Sequence, residues 1–131
     1  MTLAPTLAVN APAEPASVPL LRRRVVGFLV ENDVCGDRAE DIRLAVSEAL
    51  SNAVLHAYRG ARDPGDLEVS AVRDDGSVEV VVRDNGSGMA PRPDSPGLGL
   101  GLPVIAQMTD RYEIEHPETV GGTAIRMRFD C

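Results

Sequence analysis

Apolar and polar positions alternate in some stretches of this chain and recur every three or four residues in others, which separates strands from helices. Thr6 to Asn10 (TLAVN) predicts a short strand after a frayed start, and Ala11 to Pro15 a connection. Ser17 offers a helix cap, with Pro19 tolerated in the first turn, ahead of LLRRRVVGFLVEN. Leu21, Val25, Phe28 and Leu29 give that helix one apolar face, and Arg22 to Arg24 its solvated side. Asp37 is placed to cap a longer helix running to about Tyr58. Its stripe of Ile42, Ala45, Val46, Ala49, Leu50, Ala53, Val54 and Ala57 keeps the helical spacing throughout.

Beyond a loop at Arg59 to Asp66, the periodicity shortens. Leu67 to Arg73 and Val78 to Asp84 are β-rich runs joined by Asp74-Asp75-Gly76-Ser77, a hairpin signal. Asn85 to Gly101 is a glycine- and proline-rich loop, and Leu102 to Thr109 predicts a helix opened by Gly101 and Pro103. Tyr112 to Glu115 and Thr123 to Phe129 close the chain as strands around His116-Pro117-Glu118. In the last strand Ile125, Met127 and Phe129 alternate with Arg126 and Arg128, so one face is buried and one wet. Strands arriving mostly as hairpins, with helices between them, predict an α+β fold. The expected form is a two-layer α/β sandwich whose mixed, mostly antiparallel sheet is covered by helices on one face. Residues 1–5 are expected to be a disordered tail and residues 6–131 a single domain.

Composition narrows the chemistry. A chain of 131 residues is long enough for one core. Its 20 acidic and 13 basic residues give a net charge of −7, without the positive footprint of a nucleic-acid binder. Every basic residue is arginine. The absence of lysine excludes a Walker-type phosphate loop, Schiff-base chemistry and the protein-kinase fold, each of which needs one. No apolar run approaches the ~20 residues of a membrane helix, and no signal-peptide pattern opens the chain. Cys35 and Cys131 form no motif, and a disulfide to the last residue would be unusual. The expectation is a reduced, cytoplasmic protein with no membrane and no direct nucleic-acid partner.

Candidate chemistry sits in separate segments. Glu48 and Asn52 are four residues apart, about 40° in azimuth on one helix. Apolar residues bracket them, with the core stripe on one side and Leu44 and Leu55 on the other. They read either as a Glu–Asn hydrogen bond on a solvated edge or as a carboxylate base beside an amide oxygen that can ligate a hard cation. Asp84 ends a buried-looking strand, followed by Asn85-Gly86-Ser87-Gly88. That is ordinary turn chemistry, but alternate glycines also admit a ligand close to the backbone, where Asp84 could accept from an amino group such as that of adenine. Gly97, Gly99 and Gly101 precede a helix, the arrangement of either a phosphate cradle or a flexible lid.

In combination these segments resemble the four nucleotide-binding boxes of the GHKL ATPase superfamily. The boxes are Glu48-Ala-Leu-Ser-Asn52, Asp84-Asn-Gly86-Ser-Gly88, Gly97-Leu-Gly99-Leu-Gly101 and Gly121-Gly122-Thr123. SEALSNAVLHAY (Ser47 to Tyr58) is similar to the bacterial anti-sigma factor and serine/threonine kinase branch. The resemblance implies the Bergerat-type ATP-binding fold, ATP and Mg²⁺ as cofactors, and roles residue by residue. Asn52 would hold Mg²⁺ against the phosphates, and Glu48 would orient or deprotonate the attacking hydroxyl. Asp84 would read adenine in a pocket shaped by Gly86 and Gly88 and supported by Thr123. Gly97, Gly99 and Gly101 would belong to the lid and phosphate turn. The implied function is an anti-sigma-type kinase that sequesters a sigma factor, phosphorylates an antagonist protein on serine or threonine, and forms a homodimer.

One segment departs from the pattern. The stretch between Met89 and Gly97 (APRPDSP) is short and offers only Arg92 as a cation, where kinases of this branch carry a longer basic lid. A non-catalytic ATP-binding module of the same fold, or a detached histidine-kinase-type catalytic domain, are the alternatives. His56 is expected beside the nucleotide pocket, and with His116 makes no metal pair.

Overall fold

In the computed structural model, the described residues are 6–58, 65–85, 103–115 and 122–131. The elements are β1 (Thr6–Pro12), α1 (Ser17–Glu31), a 3-10 turn (Gly36–Arg38), α2 (Ala39–Tyr58), β2 (Asp66–Asp74) and β3 (Ser77–Asp84). A helical stretch at 103–108, α3, then leads to β4 (Arg111–Glu115) and β5 (Thr123–Asp130). The strand order is β1-β2-β3-β5-β4. Every described pairing is antiparallel, which corrects the expectation of a mixed sheet. The reason lies in the connections. Asp75 takes φ 49° to close the β2–β3 hairpin, and the α1–α2 pair leaves and re-enters the sheet at one end, with Pro12 opposite Asp66.

The alternation expected for the last strand holds across the sheet. Leu67, Val69, Ala71, Val78, Val80, Val82, Ile125, Met127 and Phe129 form one core with Leu21, Val25, Phe28, Ile42, Val46 and Leu50. Each large side chain buried there contributes about 1.5–3 kcal/mol. The opposite face carries ion pairs. Arg126 bonds Glu79 and Glu115, and Arg83 lies 3.7 Å from Glu68. The helices therefore cover a single face, as the pattern predicts.

Local expectations fail where tertiary contacts replace side-chain caps. Ser17 is not a cap: it lies inside α1, buried, and Ala16 precedes the helix with no side-chain cap bond. The first N–H groups already donate to the backbone turn before them, Ser17 to Glu14 O (3.0 Å) and Val18 to Pro15 O (3.2 Å). Asp37 falls within the 3-10 turn ahead of α2 rather than at its cap. β1 continues through Ala11 and Pro12, which pair with Leu67 and Asp66. The cysteines are also corrected. Cys35 and Cys131 form a disulfide across 96 positions, with Cα atoms 4.9 Å apart. β5 ends beside the turn that follows α1, and the Cys131 N–H donates to Gly76 O at 2.7 Å.

Arg38 ties this corner together. Its guanidinium donates to Asp41 (3.0 Å), Asp110 (2.9 Å), Asp130 O (2.8 Å) and Met108 O (2.7 Å). The Asp110 hydrogen bond leads in raising its pKa further. Asp110 is held below the usual carboxylate range, first by the Asp130 N–H and then by Arg38.

Candidate nucleotide site

Three of the residues singled out from sequence converge on one recess between the layers. It is lined by Ala49, Asn52 and Ala53 from α2, Val82 and Asp84 from β3, and Thr123 and Ile125 from β5. Helical spacing explains the first group, since Ala49 and Ala53 flank Asn52 on the edge of the apolar stripe. Strand spacing explains the others: Val82 and Asp84, like Thr123 and Ile125, lie two apart and face the same way. Asp84 and Thr123 are register partners at the ends of their strands.

The chemistry of the lining is uneven. Asn52, Asp84 and Thr123 are buried polar residues in an otherwise apolar surround. The amide nitrogen Nδ2 of Asn52 is fully buried and has no hydrogen-bond partner among the described residues. A native fold rarely tolerates such a group without a use for it, because an unmade bond there costs about 1–3 kcal/mol. The bland reading of Asn52, a solvated helix edge, does not fit a residue 8% exposed. Leu44 and Leu55 are the exposed residues on that side, at 43% and 45%.

Glu48 lies one turn before Asn52, half-buried, and is not among the residues lining the recess. An asparagine side-chain oxygen is a hard donor suited to Mg²⁺, which commonly takes few protein ligands and completes its shell with water and phosphate. Among the described residues no acidic, histidine or cysteine cluster offers a metal cage, so a cation here would be shared with its ligand.

Backbone shape completes the site. Gly122 has φ +84°, and a Cβ there would meet the Asp84 carbonyl oxygen and come within 3.2 Å of the Asn85 Cα. Just beyond Asp84, Asn85 pairs with Asp66, its Oδ1 accepting the Asp66 N–H at 2.6 Å and its N–H donating to Asp66 O at 3.2 Å. Gly122 had stood out only as part of a Gly-Gly-Thr box. Ala49, Ala53, Val82 and Ile125 belong to the core as well as to the recess, and the small residues beside Asn52 are the sequence signal of a ligand wall. The expectations for Gly86, Gly88, Arg92, Gly97, Gly99, Gly101 and His116 fall outside the described residues, as does the placement of the His56 side chain.

Residues 11–129 match the family model of the histidine kinase-like ATPase domain. An anti-sigma F factor of Heyndrickxia coagulans is 31% identical over 118 residues, covering 82% of this chain and 80% of that protein. An anti-sigma F factor of Clostridium botulinum is 32% identical over 118 residues, covering 82% and 81%. Among solved structures, that of the RsbU and RsbW domains of Rv1364c from Mycobacterium tuberculosis matches with a TM-score of 0.74 at 25% identity. That match covers 96% of this chain and 32% of the solved one.

Proposed function

Since the chain belongs to the histidine kinase-like ATPase family, in its anti-sigma factor branch, we propose that it binds Mg-ATP, sequesters a sigma factor and phosphorylates an antagonist protein on serine or threonine. One observation carries this reading. A buried amide from the helix layer and a buried carboxylate from the sheet line the same small recess. In it, the Asp84 carboxylate accepts from the amino group of adenine, and Thr123, its register partner, supports that end. The apolar walls of Ala49, Ala53, Val82 and Ile125 take the faces of the base. Asn52 would hold Mg²⁺ through its amide oxygen, and the ion would supply charge neutralisation at the phosphates. By the family resemblance, Gly86 and Gly88 would shape the adenine pocket, and Gly97, Gly99 and Gly101 would belong to the phosphate turn, whose backbone N–H groups would stand in for the missing lysine.

Glu48 supplies the step that makes this an enzyme. It orients the partner's hydroxyl and takes its proton as the oxygen bonds to the γ-phosphorus, and ADP leaves. The protein acts in the cytoplasm as a homodimer whose acidic charge favours partners with basic surfaces. Replacement of the base tests the assignment. Glu48→Gln keeps ATP affinity close to wild type, because the carboxylate works in the transition state. Transfer of labelled phosphate falls by on the order of 10²–10⁴-fold, toward the lower end for a reaction that leans on positioning. Wild-type protein that binds ATP and a sigma factor yet labels no partner would instead make this a binding module with a shortened lid around Arg92.

A further inference from the structure

Asp84 is the last residue of β3, paired with Leu67 on β2 and with Thr123 on β5. Strand ends are where pairing frays first, yet this one carries a buried side chain that lines the recess. The next residue, Asn85, is exposed and is not among the residues lining the recess. It adds one further rung to the β2–β3 ladder. Its N–H donates to Asp66 O at 3.2 Å, as a backbone rung does, but the Asp66 N–H is met at 2.6 Å by the side-chain Oδ1. The side chain stands where a backbone carbonyl ordinarily would, since the asparagine amide mimics a peptide group. Two glycines leave room for this. Gly65, at φ +77° just before β2, would with a Cβ stand 2.5 Å from that Oδ1, and a Cβ on Gly122 would meet the Asp84 carbonyl oxygen. The Asp84–Asn85 peptide is therefore held between two stretches of bare backbone, one leading into β2 and one into β5. We infer that Asn85 is the positioning residue of base recognition: its side-chain rung fixes the end of β3 and so aims the Asp84 carboxylate, which sets the preference for adenine over guanine. This deepens the nucleotide reading above and rests on it.

The discrimination depends on placement. A carboxylate held within about 0.5 Å of its working position accepts from the adenine amino group and opposes the guanine carbonyl. One free to swing away lengthens the first bond and lets a water enter between the two opposed acceptors, so both changes shrink the difference between the bases. Asn85 acts on this through the backbone alone. Alanine at that position keeps the N–H rung and removes the other, whereas aspartate keeps an accepting oxygen at the same reach.

Calorimetry of the full chain with ADP and with GDP tests this, beside amide exchange and urea midpoints measured without nucleotide. In Asn85→Ala the ratio of ADP to GDP affinity falls about three- to tenfold, the scale of one hydrogen bond's net contribution. The Asp66 N–H exchanges faster in the same variant. Asn85→Asp restores the wild-type ratio. Gly65→Ala keeps Asn85 but pushes its Oδ1 aside, and it lowers the ratio as Asn85→Ala does. A lower urea midpoint with an unchanged ratio in Asn85→Ala makes the residue merely structural and overturns the inference. An Asn85→Asp variant that behaves like Asn85→Ala overturns it too. Wild-type protein with no preference for ADP refutes the nucleotide reading and takes the inference with it, whereas a wild-type preference kept in Asn85→Ala and Gly65→Ala refutes the inference alone.

Discussion

Replacing Asn52 by leucine should make the ligand-free protein more stable and unable to bind nucleotide. Among the described residues the buried amide nitrogen has no partner, and a polar group in that condition costs about 1–3 kcal/mol. Leucine is similar in size, adds no polar atom to the recess, and gains a few tenths of a kcal/mol in helix propensity, roughly, over asparagine. Its extra apolar surface would pack against Ala49, one turn before it, and against Val82 and Ile125 across the recess. The expected net gain is about 1–3 kcal/mol, read as a higher urea midpoint with unchanged slope, or a melting temperature raised by about 4 °C per kcal/mol. Both measurements are made without nucleotide. ADP added to the wild type should then close or reverse the gap, while ADP added to Asn52→Leu should do nothing. A ligand-free variant less stable than wild type would refute the reasoning. It would mean that the amide is satisfied in the folded protein and that Asn52 is structural.

Other outcomes follow from the same geometry. Calorimetry should show ATP preferred over GTP by about tenfold or more, since a guanine carbonyl would face the Asp84 carboxylate and leave two acceptors opposed; equal affinities would remove Asp84 from base recognition. Gly122→Ala should cost about 1–2 kcal/mol for its left-handed backbone alone, and more for the contact with the Asp84 carbonyl, with ADP affinity falling in step. A variant matching wild type in both would show that the β5 entry is plastic. Asp110 has a depressed folded pKa, so its contribution is present above the unfolded value near ~3.9 and is lost as pH falls through the lower folded one. The denaturation midpoints of wild type and Asp110→Asn should therefore differ at pH 7 and converge in acid, and a gap independent of pH would argue against the Arg38–Asp130 anchorage.

Much of this arrangement was legible because periodicity reports burial. The α2 stripe from Ile42 to Val54, the inward Ile125, Met127 and Phe129, and the β2–β3 turn at Asp75 all lie where the pattern puts them. Helix starts were less legible, because a capping residue is needed only when the preceding backbone leaves N–H groups unmet, and at Ser17 the Glu14–Pro15 turn meets them. The extension of β1 to Pro12 depends on Asp66 lying opposite, which no local signal carries. The Cys35–Cys131 pairing likewise depends on where β5 stops. The convergence of Asn52 and Asp84 is a tertiary fact. Spacing alone left each with an ordinary reading, and the resemblance across four segments brought them to one site before the structure did.

The recess is roofed by α2 and floored by β3 and β5, so whatever occupies it becomes a rivet between the two layers. Its occupant and the core share neighbours: Ala49, Val82 and Ile125 face both. A ligand at a hundred times its dissociation constant would add about 2.7 kcal/mol to the folded state, comparable to one large buried side chain. With nucleotide bound, the lifetime of this protein against unfolding and proteolysis would then track nucleotide supply. A cell running short of nucleotide would lose the regulator itself, along with its activity.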